Sequence, residues 1–263
     1  MKSFLLSFSL IALVFFACTK TDTPEANACL PSNLTTGLIA CYTFGNGSIA
    51  DGTIYGNDLS NSTNAAASMD RAGNPNCAFE FDNLPTSVNT QYLTTASTGF
   101  LNGLNAFSIS LWYQPMDTTR DAGAFETLIS RDKGFHCPDT DGQWSLGLYD
   151  CRRAVFGLKN SVWEQQPPTA GCNPAADGVT GLWNHVVITY SEANNTLELY
   201  KNGVLHGSVT GTANCQVAPT VQDIGDLFIG NNYTGKIDDI FIYDRILSPT
   251  EVGQLNALAA CCL

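Results

Sequence analysis

GNNYTGKIDDIFIYDRILSPTEVGQL, residues 230–255, carries a turn, a strand and a capped helix start in one segment. Along KIDDIFIYD, Ile240 and Ile242 fall on one face with Asp238, while Phe241 and Tyr243 fall on the other with Asp239. That is the two-residue period of a strand. Gly235 sets the turn before it. Ser248, Pro249 and Glu251 then supply an N-cap, a first-turn proline and a capping-box acid, so a short helix is expected at once. The segment reads as the closing strand of a sheet sandwich, followed by one helix.

Working outward, the rest of the chain is built of short alternating strands. GLIACYTF, residues 37–44, alternates before Gly45 and Gly47. CAFEFDN, residues 77–83, puts Phe79 and Phe81 on one face and Glu80 and Asp82 on the other. NAFSISLWYQPMD, FETLISRDKG, WSLGLYDC and LWNHVVITY give further strands, with Trp144, Leu146 and Leu148 sharing one face. Asn202 and Gly203 mark a type I′ hairpin turn. Residues 160–181 are rich in Pro, Gly, Asn and Ala, lack periodicity, and read as a long surface loop holding Trp163. Repeated antiparallel hairpins with one helix give an all-β, two-sheet jelly-roll sandwich. Sandwiches of this kind often exceed 200 residues as one domain, so residues 29–263 are read as a single domain.

The beginning of the chain reads as an address. Lys2, the 13-residue apolar run Phe4–Phe16 and Ala17 form a signal peptide, residues 1–17. Cys18 follows directly, and VFFAC has the form of a bacterial lipobox, so Cys18 is expected to be lipidated. Residues 18–28 read as a polar tether. This places the domain at the outer membrane or cell surface of a bacterium, touching membrane only through the Cys18 lipid. The net charge of −12 argues against nucleic acid and anionic membrane as partners. Ten cysteines suit an oxidising compartment. With Cys18 lipidated, nine remain and one stays unpaired. The expected pairs are Cys137 with Cys151, Cys172 with Cys215, Cys41 with Cys77, and Cys29 with either Cys261 or Cys262. No C-x-x-C pair suggests a zinc ribbon.

The closing strand also resembles that of concanavalin A-like, laminin G-like modules of bacterial surface proteins, through Gly235, Ile237, Asp238, Asp239, Ile240, Ile242, Tyr243, Arg245, Leu247 and Ser248. The similarity extends to the opening strand, to Asp51, Gly56 and Asn57, to Phe107, Ile109, Ser110, Trp112 and Pro115, and to Trp183, His185, Val186, Thr189 and Tyr190. It covers roughly residues 36–256. It implies the sandwich fold, framework positions in the core for Trp112 and Trp183, a structural His185, and glycan or protein recognition by loops at one edge. It implies no single activity, because the fold carries lectins, adhesins and some glycan-cleaving enzymes.

Site candidates follow from chemistry. Trp163 beside Gln165 has the aromatic plane and amide that a sugar site needs, and Asn232 with Tyr233 forms a second candidate. Asp51, Asn57 and Asp238 could supply oxygens to a structural calcium ion, the only cofactor expected; the alternative is that these acids accept backbone hydrogen bonds without metal. Hydrolases of this fold carry E-x-D-x-E on one strand. Glu80 and Asp82 supply two acids, but Leu84 or Pro85 stands at the third, so the chain is expected not to be an enzyme. A glycan-cleaving enzyme using Glu80 and Asp82 is the alternative, and a structural or adhesive domain without a small ligand is the third reading.

Overall fold

The computed structural model describes residues 29–84, 87, 90–95, 97–116, 125–131, 143–149, 152–165, 181–211 and 225–263. Cys18, Cys137, Cys151, Cys172 and Cys215 lie outside them. In chain order the strands are β1 (Leu38–Tyr42), β2 (Ala66–Ser68), β3 (Ala78–Phe81), β4 (Leu93–Thr95), β5 (Ala106–Pro115), β6 (Glu126–Arg131) and β7 (Trp144–Tyr149). They continue as β8 (Arg153–Gly157), β9 (Ser161–Trp163), β10 (Asn184–Ser191), β11 (Thr196–Lys201), β12 (Val204–Thr210), β13 (Leu227–Ile229) and β14 (Gly235–Tyr243), followed by helix α1 (Pro249–Asn256). The large sheet runs β12-β11-β10-β5-β14-β3-β2, with β1 also on β14, and the small one β4-β13-β6-β7-β8-β9. Every pairing is antiparallel.

Alternation puts one face of each strand into the layer between the sheets. Ile109, Leu111 and Tyr113 of the large sheet meet Trp144, Leu146, Leu148 and Phe156 of the small one in one apolar cluster. β14 sits centrally, between β5 on one side and β3 and β1 on the other. Its entry needs glycine. Gly235 has φ +152°, and a Cβ there would stand 2.3 Å from the Gln114 carbonyl oxygen.

Strict alternation fails once in β14, and the failure matters. Asp238 pairs with Trp112 and Phe241 with Ser110, so three steps on β14 match two on β5. Asp239 is the extra residue of a β-bulge, with φ +45°. Ile237, Ile240 and Ile242 therefore all point inward, while Phe241 and Tyr243 join a second cluster outside. Asp238 does not share the face of Ile240 and Ile242, as unbroken alternation would require. It stands outside with Asp239.

That outer face is roofed by the ends of the domain. Leu30, Leu34, Leu38, Cys41, Val187, Tyr200, Leu247, Val252 and Leu255 complete the second cluster with Phe241 and Tyr243. α1 begins as the sequence implies. The Ser248 side chain accepts from the Glu251 N–H, and the Glu251 carboxylate takes the Ser248 N–H. Cys261 bonds to Cys29, one of the two partners left open by the sequence. Cys77 bonds to Cys262, not to Cys41, which is a buried free thiol. Cys41 points into the outer apolar cluster on β1, while the turn at Cys77 meets the last residues of the chain.

Candidate functional site

Trp163 is not in an unpatterned loop. It ends β9, whose register sets Val155 opposite Trp163. Val162 enters the core, so Trp163 points outward from the small sheet. The same parity puts Tyr149 of β7 and Arg153 of β8 on that face, since Leu148 and Ala154 are core residues. Phe125, just before β6, folds onto the face as well. A Cβ on Gly147 would meet the Phe125 ring at 2.7 Å, so only glycine leaves room for it.

The result is a strip across four strands. The Phe125 and Tyr149 centroids are 6.4 Å apart, and those of Tyr149 and Trp163 are 5.7 Å apart. The Arg153 guanidinium lies 5.1 Å from the Trp163 centroid, a cation–π stack. All four side chains are half-buried. The exposed Asn232 donates its amide to the Phe125 carbonyl at 2.6 Å, which brings the turn before β14 to the far end of the strip. Gln165 is exposed at the near end, where its N–H donates to the His206 carbonyl of β12. Next to Trp163, Glu164 is held from two sides, by the Ala154 N–H at 2.9 Å and by Lys201 of β11 at 2.6 Å.

Trp163, Gln165 and Asn232 thus belong to one region. Tyr233 does not: it is fully buried in the core, with its hydroxyl on the Lys236 carbonyl. The close packing at Gly235, where a Cβ would stand 2.5 Å from the Tyr233 hydroxyl, holds this ring inside. Phe125, Tyr149 and Arg153 are the residues that the sequence reading missed. Tyr149 carried a signal, because it falls on the opposite parity from Trp144, Leu146 and Leu148. Phe125 carried none.

The proposed calcium ligands are not brought together as a coordination set. Each Asp51 oxygen already accepts two hydrogen bonds, Oδ1 from the N–H groups of Cys41 and Thr53, and Oδ2 from the Thr53 hydroxyl and the Asn57 N–H. These four donors fill the lone pairs of the carboxylate. The Asn57 side-chain amide donates to the Ile39 carbonyl, and the Asn57 backbone carbonyl accepts from the Tyr42 hydroxyl. The loop thereby covers the free edge of β1. Asp238 binds Arg71 at 2.9 Å instead. This donor set does not fit a calcium ion shared by Asp51, Asn57 and Asp238.

The remaining candidates are placed as follows. Glu80 and Asp82 alternate with Phe79 and Phe81, which face the core, so they point out from the large sheet near its β2 edge. Glu80 accepts from Ser68, and Asp82 from Ser87. His185 is buried and bonded to the Ser110 hydroxyl at 2.9 Å. Burial first, and the Arg71 charge second, push its pKa down to about 3, which keeps it neutral. Trp112 and Trp183 are half-buried rather than core residues. Trp112 is on the outer face of the large sheet, between His185 and Arg71.

Comparison with known proteins agrees with this architecture. Residues 87–253 match the laminin G family of the concanavalin A-like lectin/glucanases superfamily. No curated protein sequence matches the chain. Among solved structures, the binding domain of botulinum neurotoxin DC in complex with rat synaptotagmin II is similar at TM-score 0.62 and 16% identity, over 86% of this chain and 52% of that one. A botulinum neurotoxin type C structure, describing cell entry dependent upon two ganglioside molecules, gives 0.63 and 15% over 86% and 52%. The binding domain of Paraclostridial Mosquitocidal Protein 1 gives 0.63 and 18% over 85% and 52%. The chain thus spans about half the length of these solved chains, and at such identities the likeness is one of fold. By its matched segment and its two-sheet sandwich, the chain belongs to the concanavalin A-like lectin/glucanase superfamily, as a laminin G-like domain.

Proposed function

We propose that the domain is a non-catalytic carbohydrate-binding module, carried on a bacterial cell envelope by a lipid on Cys18, and that the Phe125–Tyr149–Trp163 strip is its binding platform. The observation that carries this reading is three outward aromatic rings in a row, flanked by Arg153, Gln165 and Asn232. Pyranose C–H faces stack on aromatic planes, and amide and guanidinium groups address the hydroxyls between them. The acidity of the chain favours neutral over anionic glycans. The ganglioside dependence described for the type C neurotoxin is in keeping with a glycan ligand, and the synaptotagmin complex with a protein one. The non-catalytic part rests on the missing third acid after Glu80 and Asp82.

The test is a broad glycan array probed with the disulfide-bonded domain and with Trp163→Ala, Tyr149→Ala and the Glu80→Gln/Asp82→Asn pair. Saturable binding to a related set of glycans is expected. It should weaken about 10-fold to 100-fold in the Trp163 and Tyr149 variants and stay intact in the acid variant. Turnover of any bound glycan by the parent, lost in the acid variant, would replace this reading with the hydrolase one. Silence across the array would replace it with a protein-adhesion role.

A further inference from the structure

The β14 bulge does something that a regular strand cannot: it turns two consecutive carboxylates to the same side. Asp238 and Asp239 are both fully buried. Each accepts at its Oδ2 from the same donor, Arg71 Nη1, at 2.9 and 2.5 Å. Each keeps an Oδ1 that is buried without a hydrogen-bond partner. The guanidinium reaches further, donating from Nη2 to the Leu258 carbonyl at 3.1 Å and lying 4.5 Å from the Trp112 centroid. Asp239 Oδ2 also accepts the Cys261 N–H at 3.1 Å. One buried cation thus serves two carboxylates and one carbonyl from β14 and the last residues of the chain. Arg71 and Cys77 belong to the same β2–β3 connection, so that connection grips the chain end twice, once ionically and once through Cys262.

We infer that Arg71 is a built-in counter-cation, standing where the buried carboxylate pair would otherwise hold a divalent metal ion. Two buried carboxylates need positive charge and hydrogen bonds to remain in place. Their four oxygens and the Leu258 carbonyl are the hard ligands that calcium selects, and one guanidinium satisfies only part of them. The roof over the large sheet therefore closes without metal, and removal of the guanidinium uncovers a latent cation site in the same place. The inference concerns the outer face of the large sheet and does not depend on the ligand of the aromatic strip.

Thermal melting and calcium titration calorimetry on the full chain, with its disulfides formed, test it. The parent should melt at one temperature in EDTA and in calcium chloride and show no calcium-binding heat. Arg71→Ala should melt about 10 °C lower in EDTA and recover part of that loss as calcium chloride is raised to about 10 mM. Arg71→Lys, which keeps the charge, should stay insensitive to calcium, as should Arg71→Ala with Asp238→Asn. If Arg71→Ala yields no folded protein in either buffer, Arg71→Gln takes its place in the same comparison. A parent whose melting falls in EDTA, with calcium heat lost in Asp238→Asn, would overturn the inference. So would an Arg71→Ala or Arg71→Gln protein that folds and ignores calcium.

Discussion

Each sheet of the sandwich turns one face inward and one outward, and the two outward faces are built differently. On the large sheet Phe241, Tyr243, Cys41 and Val187 would leave a wide apolar surface in water. Helix α1 and the 29–38 segment cover it, and two disulfides and the Arg71 cluster hold the cover down. On the small sheet Phe125, Tyr149 and Trp163 are left half-buried at one end, with Arg153 stacked on the last ring. The same alternation of strand residues produces both faces. The large sheet's cover is a helix with its cross-links, which adds stability; on the small sheet the outward Thr127, Ser145 and Val155 are buried as well, and the rings at its end keep partial exposure, on which the proposed recognition role rests.

The roof over the large sheet is most vulnerable at Leu255, which α1 buries in the outer cluster at 1% exposure. Leu255→Ala should cost about 2–5 kcal/mol by transfer and cavity terms, read as a lower midpoint in denaturant. Glycan binding, measured well below the melting temperature, should be unchanged. Equal loss of binding would mean that the two faces are coupled rather than independent. Next in size is the Cys77–Cys262 bond, which spans 185 residues. The Cys77→Ser/Cys262→Ser protein should lose about 2–4 kcal/mol, again with the strip unaffected.

The two faces also differed in how far they could be read from residues alone. The sandwich was legible because its signals are local and repeated: alternation in β3, β5, β10 and β14, the Asn202–Gly203 turn, and the Ser248–Glu251 box. Asp238 was misplaced because alternation counts residues evenly, and a single left-handed residue at Asp239 shifts every later side chain to the other face. The Cys77–Cys262 bond was illegible for a different reason. It depends on where a distant turn meets the chain end, and spacing in sequence carries no such information. Trp163 was found for its chemistry but set in the wrong element, since three residues are too few for a period to show. Its neighbours Tyr149 and Phe125 lie on β7 and just before β6, and they meet it only through the register of the β6–β9 hairpins. Core positions announce themselves one by one, whereas an outward strip assembled across four strands does not.

A smaller effect sharpens the contrast through pH. Burial raises the carboxyl groups of Asp238 and Asp239, the Asp239 charge raises Asp238 further, and Arg71 opposes the rise in both. With their folded pKa above the unfolded value, the native state binds more protons, so stability should fall as pH rises above the ordinary carboxylate range. The slope is at most about 1.4 kcal/mol per pH unit for each such proton. Unfolding midpoints measured from pH 5 to 8 should show it, and Asp238→Asn should flatten it. An unchanged slope in that variant would remove the pair as its source.

The smallest effect lies at the start of α1 and runs in the opposite direction. Hydrogen bonding from Arg245 is the main reason that Glu251 titrates lower than usual, at about 2. The Arg245–Glu251 contact is 2.7 Å, and both side chains keep some exposure to solvent. A depressed carboxylate adds stability that is present above the unfolded pKa and lost as pH falls from about 4.5 towards 2. This window lies below the one in which Asp238 and Asp239 act, so the two titrations can be separated on one pH axis. Ser248→Ala breaks the capping box without touching Arg245 and should cost about 1 kcal/mol near neutral pH. Glu251→Gln should remove the acid-limb loss while leaving the slope from pH 5 to 8 in place. If it instead flattened the upper slope, the cap and the buried pair would be one electrostatic unit, and the roof over the large sheet would respond to pH as a single piece.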